Sequence, residues 1–339
     1  MATAGLRPGI ASISLGRAPA GHDILHKIEE AALHDFDGIE IFYECLETHA
    51  RGLPGGLSDA NLLLAAERVR AGCDKFGIDV ICLQPFGFYD GLVDRSAHAA
   101  AIEKLKFWFK LVKILRTDLI QVPSTWLITG TTGDIDAIVA DMREIAELGL
   151  KESPVVRFAY EAVCWGTHID LWEQTWDVVK LIDLPNLGIC LDTFHIVGRV
   201  WADPASSTGE NADADAALAA SMDKLAVEVD LAKVFYFQTA DGERYDPPLN
   251  KDHKYYDAAQ LPRMTWSRNS RLFPYETSLG AYLPIQLVID TVIKRMGYTG
   301  WVSAELFNIG HYDKDPNVPA EYAARGQTSW EKLIENLGL

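Results

Sequence analysis

No two cysteines in this chain stand at the close spacing of a zinc ribbon or a redox motif; the five (Cys45, Cys73, Cys82, Cys164, Cys190) are scattered and odd in number. That excludes a disulfide framework or a cysteine-built zinc site as the organising principle, and each thiol reads as a reduced packing group. Positive charge is scarce as well. Lys and Arg number 31 against 48 Asp and Glu, a formal net charge of −17. Such a field repels phosphate backbones, so nucleic-acid binding is not expected. A local basic cluster inside a pocket can still outweigh it and admit an anionic small molecule. No apolar run has the length of a membrane span, and Met1–Gly9 lacks the apolar core of a signal peptide. The expectation is a cytoplasmic protein with no membrane partner. No Gly-x-Gly-x-x-Gly turn follows the first strand candidate; Gly16-Arg17-Ala18-Pro19-Ala20-Gly21 has the wrong spacing and carries a proline. No organic cofactor is expected.

What the chain does have is alternation. With 48% hydrophobic and 23% charged residues over 339 positions, it has ordinary globular composition and ample material for a core. Short apolar runs at Ile10–Leu15, Gly38–Tyr43, Asp79–Gln84, Leu119–Val122, Val155–Glu161, Leu187–Asp192, Lys233–Gln238 and Trp301–Leu306 read as strands. Helical periodicity fills the gaps, with Ser58 and Asp94 as N-caps and Gly77 and Gly297 as C-terminal stops. Near-continuously apolar strands suit a parallel sheet covered by helices. Eight strand–helix units make the count of a (β/α)8 barrel, an α/β fold, taken here as a single domain over 1–339. One connection is outsized. It runs from about 240 to 282, follows strand seven, and its aromatic content favours an ordered lid over the catalytic face.

Strands five to eight each end on or near a metal-capable side chain: Glu161, Asp192, Gln238 and Glu305. Burying an unpaired polar group costs about 1–3 kcal/mol or more, so four such residues in comparable places suggest a shared partner. A parallel barrel gathers all strand C-termini at one end. Three carboxylates and an amide oxygen suit one hard divalent cation, Mg2+ or Mn2+, with Co2+ as a further candidate. Glu40, in Gly38-Ile39-Glu40-Ile41, reads as a supporting acid behind that set.

His195, three residues past Asp192, is the strongest acid–base candidate among nine histidines. The segment Arg263-Met264-Thr265-Trp266-Ser267-Arg268-Asn269-Ser270-Arg271 places basic residues over the same face, where an arginine can clamp a carboxylate bidentately. Arg268, Arg271, Ser267, Trp165 and His253 are the candidate substrate contacts, and Phe42, Tyr43, Phe86 and Trp126 are further candidate walls.

At these residues the chain resembles the xylose isomerase-like barrel superfamily, and within it the fungal-type 3-dehydroshikimate dehydratases. The matching segments include Gly38-Ile39-Glu40-Ile41-Phe42-Tyr43-Glu44, Leu83-Gln84-Pro85-Phe86, Leu191-Asp192-Thr193-Phe194-His195, the tryptophan–arginine segment, and Ser303-Ala304-Glu305-Leu306-Phe307. The resemblance implies a divalent-metal lyase that converts 3-dehydroshikimate to protocatechuate by β-elimination of water through a metal-stabilised enolate, in quinate catabolism. It implies Glu161, Asp192, Gln238 and Glu305 as metal ligands and His195 as the active-site histidine, acting as base or acid. Arg268 and Arg271 both fit the carboxylate-binding role. The chain departs from the pattern after strand three, where Gly87-Phe88-Tyr89 stands in place of an arginine expected of bacterial relatives. A sugar isomerase or ketose 3-epimerase of the same superfamily is the alternative, and the sequence leaves the oligomeric state open, a homo-oligomer included.

Overall fold

Eight strands pair in parallel and close into a barrel in the computed structural model, which describes residues 5–339. They are β1 Leu6–Ala11, β2 Gly38–Phe42, β3 Asp79–Gln84, β4 Leu119–Pro123, β5 Arg157–Glu161, β6 Leu187–Asp192, β7 Val234–Thr239 and β8 Gly300–Ala304. Residues 1–4, part of the N-terminal stretch read above, lie outside the described residues. Each strand neighbours the next in sequence, and β8 closes on β1 with Leu6 opposite Gly300 and Ile10 opposite Ala304.

The helices are α1 Ile24–Leu33, α2 Tyr43–Arg51, α3 Asp59–Phe76, α4 Arg95–Leu115, α5 Ile135–Leu150, α6 Trp172–Ile182, α7 Thr193–Val200, α8 Ala214–Glu228, α9 Pro262–Ser270, α10 Ile285–Ile289 and α11 Val318–Leu337. Local chemistry starts and stops them. Ser58 accepts from the Asn61 amide and Asp94 from those of Ser96 and Ala97, satisfying free donors at the heads of α3 and α4. Gly77 ends α3 at φ +71°, a left-handed turn that glycine adopts without a Cβ penalty. Their apolar faces cover strands that are buried on both sides; every residue of β6 is buried.

Several boundaries differ from the sequence reading. β1 begins at Leu6 rather than Ile10, because Pro8 and Gly9 sit inside the strand and Ser12–Leu15 winds into a 3-10 turn. β8 stops at Ala304, so Glu305 lies one step past the strand. Two helices, α2 and α7, follow their strands with no intervening loop, and so were hidden in the strand-end segments.

The segment after β7 is built on a two-stranded antiparallel ribbon, Asp241–Gly242 against Arg271–Leu272. α9 lies between them, with Trp266 fully buried against Phe194 at 4.6 Å between ring centroids. Arg263 latches α9 to α7 through the carbonyls of Gly198 and Ala202, both at 2.7 Å. Asp241 accepts from the backbone amides of Gly242, Tyr282 and Leu283, which ties both ends of the segment together.

Candidate active site

The C-terminal end of the barrel holds a buried polar cluster. Glu161 ends β5, Asp192 ends β6, Gln238 lies in β7, and Glu305 follows β8; all four are buried. Glu40 from β2 joins them from below, and two amides, Gln84 at the end of β3 and Gln121 in β4, fill the remaining arc. Gln121 donates to Glu161. Gln84 Nε2 donates to Glu40 Oε2 at 2.9 Å and to Glu305 Oε1 at 2.8 Å. Gln238 also turns its nitrogen to Glu40 Oε2, at 2.9 Å. Gln84 and Gln121 belong to β3 and β4, outside the ladder of strands five to eight, and nothing in their local sequence marks them as meeting those acids.

The cation among these acids is Arg271. Its Nη1 lies 3.0 Å from Asp192 Oδ2 and 3.1 Å from Glu305 Oε2, its Nη2 faces His195 Nε2 at 2.9 Å, and its Nε donates to Ser267 Oγ at 2.9 Å. One guanidinium cannot balance four carboxylates. Burial, then Glu305, pushes the Glu40 carboxyl up to about 8. Burial, Glu305 and Asp192 hold Glu161 well above the usual carboxylate range, and burial raises Asp192 and Glu305 although Arg271 pulls both down. Burial works against the Arg271 charge, but Asp192, Glu305 and Glu161 outweigh it and raise its pKa.

A cluster that so resists ionisation is short of positive charge. Glu161, Asp192 and His195 each offer a donor atom, all within 4.8 Å of one another, and together could hold a metal ion. Glu161 Oε1 is buried without a hydrogen-bond partner. Such an oxygen among carboxylates fits a divalent cation. The cation would compete with Arg271 for Asp192 Oδ2 and Glu305 Oε2, since these oxygens now carry the guanidinium.

His195 stands in the first turn of α7, its ring 5.0 Å from that of Trp165. Burial, then Arg271, drives its pKa well below 6.5, so the imidazole is neutral at neutral pH. Two donors face it: the Cys164 backbone N–H at Nδ1, 3.1 Å away, and Arg271 at Nε2. A neutral imidazole has one ring lone pair to offer and can satisfy only one of them.

Above the cluster opens a cavity of about 260 Å³. Phe42, Phe88, Trp126 and Trp165 wall it, with Glu161, His195, Arg271, Glu305 and Ser267 on its floor and Arg268 at its rim. Tyr43 and Phe86 do not line it; they pack on Trp108 at 4.9 and 5.2 Å. His253 is brought elsewhere: its ring stacks on Tyr245 at 4.3 Å, in the irregular stretch before α9, outside the cavity lining. Lys104, from the middle of α4, was not legible as a site residue. It reaches the rim over the rings of Tyr43, Phe86 and Trp108, 5.4–5.6 Å from their centroids. Nothing in a helical repeat marks one lysine among its neighbours as facing a pocket. Arg268 and Lys104 make no ion pair among the described residues, so both charges are available to a ligand.

The sequence profile of the xylose isomerase-like TIM barrel family matches residues 28–333. A 3-dehydroshikimate dehydratase of Neurospora crassa is 45% identical over 335 residues, covering 97% of this chain and 93% of that protein. A 3-dehydroshikimate dehydratase of Pseudomonas aeruginosa is 29% identical over 90% of this chain, which spans only 38% of that longer protein. Among solved structures, a fusion of a xylose isomerase-like TIM barrel with a 4-hydroxyphenylpyruvate dioxygenase superposes with a TM-score of 0.71 at 26% identity, over 97% of this chain and 42% of that one. The profile and the fungal relative each span nearly the whole chain, and the closed eight-stranded barrel agrees with them: this chain belongs to the xylose isomerase-like TIM barrel family, on the branch that carries the fungal 3-dehydroshikimate dehydratase.

Proposed function

We propose that this chain is a divalent-metal-dependent 3-dehydroshikimate dehydratase, a lyase that forms protocatechuate. The observation that carries the reading is the 45% identity to the Neurospora dehydratase over 97% of the chain. The site chemistry supports it. In 3-dehydroshikimate the C3 carbonyl acidifies the proton on C4, and the hydroxyl on C5 is the leaving group. Removing both gives a dienone, and a proton shift from C6 to the C3 oxygen completes the aromatic ring.

A divalent ion held by Glu161, Asp192, Gln238 and Glu305, with Mg2+ or Mn2+ the fitting choices, would supply Lewis-acid polarisation of the carbonyl. The remaining work falls to side chains. His195, neutral at neutral pH, takes the C4 proton at Nε2, the nitrogen that Arg271 now faces. Arg268 and Lys104 attract the substrate carboxylate into an otherwise acidic molecule. They approach from opposite walls, because α4 follows β3 while α9 follows β7, across the eight-stranded ring. Phe88, Trp126 and Trp165 exclude water from the reacting carbons.

The deciding assay adds 3-dehydroshikimate to metal-stripped protein reconstituted with Mg2+, Mn2+ or Co2+ and follows protocatechuate absorbance, beside a panel of ketoses. Product only from 3-dehydroshikimate, and only with metal, is the expected result. His195→Ala should lower kcat by about 100-fold or more while metal uptake persists. Near-normal turnover by that variant removes the proton-transfer role.

A further inference from the structure

Glu40 is fully buried, and no step of the proposed reaction uses it. Its Oε2 accepts from the side-chain nitrogens of Gln84 and Gln238, both at 2.9 Å, with the Cys82 thiol at 3.5 Å. The Gln84 nitrogen reaches onward to Glu305 Oε1 at 2.8 Å. One carboxylate thus touches Gln238 directly and Glu305 through one amide, two of the four residues assigned to the cation.

A glutamine amide has a donor end and an acceptor end, and Glu40 Oε2 accepts from two amide nitrogens at once. Glu40 therefore selects the nitrogen of Gln238 and frees the oxygen. Among the described residues that oxygen, Oε1, has only the weak donor of the Cys190 thiol, at 3.4 Å, and keeps a lone pair for a ligand. The distinction matters because an amide oxygen can ligate a hard cation and an amide nitrogen cannot. We propose that Glu40 is a positioning residue that sets the amide orientation of Gln238 and, through Gln84, the carboxylate of Glu305 for a divalent ion. This rests on the metal reading above.

Mn2+ titration of metal-stripped protein by calorimetry tests it without turnover. Glu40→Gln keeps the shape but can offer either a donor or an acceptor, so it loses the selection. Glu40→Asp keeps the carboxyl group but withdraws it from both amides. Each should weaken Mn2+ binding about 10–100-fold, the range for lost supporting contacts. A double variant, Glu40→Gln with Gln238→Glu, restores a donor–acceptor pair with reversed polarity and should recover affinity toward wild type. Far-ultraviolet melts of the metal-free proteins should coincide within a few degrees, which a merely structural role would not allow. Wild-type affinity in Glu40→Asp, or no recovery in the double variant, overturns the proposal while the metal reading stands. Failure of the wild-type protein itself to take up Mn2+ overturns both.

Discussion

Arg268, in the last turn of α9, and Arg271, the first residue of the ribbon strand that follows, face different demands. Arg271 is buried with Asp192, Glu305, His195 and Ser267 around its guanidinium, whereas Arg268 is exposed at the cavity rim with no ion pair among the described residues. Arg268→Met should therefore raise KM for an anionic substrate by about 10-fold or more and leave kcat within a few-fold, read from steady-state kinetics. Arg271→Met strips the acids of their cation and should cost about 3–5 kcal/mol in metal-free urea unfolding, a loss that Mn2+ largely restores. Sequence reasoning left the two arginines equivalent, because spacing along the chain says nothing about which of them meets acids that lie dozens of residues away. A buried acid outside the cluster makes a pH signature. Asp90, bonded by the Tyr160 hydroxyl at 2.7 Å, is pushed from 3.8 up to about 6 chiefly by burial. The folded state then holds that proton more tightly than the unfolded chain does. Stability should fall as pH rises from about 4 through about 6, by at most roughly 2–3 kcal/mol from this group. Asp90→Asn should flatten that slope in urea melts at a series of pH values; an unchanged slope assigns it elsewhere.

Strand and helix limits set which side chains reach the cavity. The pattern of apolar runs found the order of all eight strands, because a strand buried on both faces is apolar whatever covers it, but its first run, Ile10–Leu15, overlaps β1 only at Ile10 and Ala11. It could not place α2 and α7, since a helix that starts on the residue after a strand has no loop to announce it. The segment after β7 depends on one close approach. A Cβ at Gly242 would lie 2.3 Å from the Trp266 ring, which is fully buried under the ribbon. Gly242→Ala should push that ring aside, cost about 1–3 kcal/mol, and raise KM several-fold, because α9 carries Ser267 and Arg268 and runs directly into Arg271. Tryptophan fluorescence and a thermal melt would register the displacement. Unchanged emission and melting would mean that α9 does not depend on this contact.

Across the whole molecule, an excess of negative charge converges on one buried point. Four carboxylates share a single guanidinium there, in a chain of net charge −17. A divalent ion that binds only the folded state should raise the melting temperature with the logarithm of its concentration, by about 2.7 kcal/mol of stability at 100 times its Kd, and a chelator should reverse it. A flat melting curve under Mn2+ titration would remove the cation from this site. The sequence alone determined the barrel and the oxygen-rich end of its strands, because strand periodicity is local and a closed parallel barrel brings every strand terminus to one place. Only the tertiary structure decided that Arg271 meets the acids while Arg268 stays free, that Lys104 reaches the rim, and that His253 lies outside the cavity. Those outcomes rest on contacts between residues far apart in the chain, such as Gln84 and Glu305, 221 positions apart, and no local pattern encodes such a meeting.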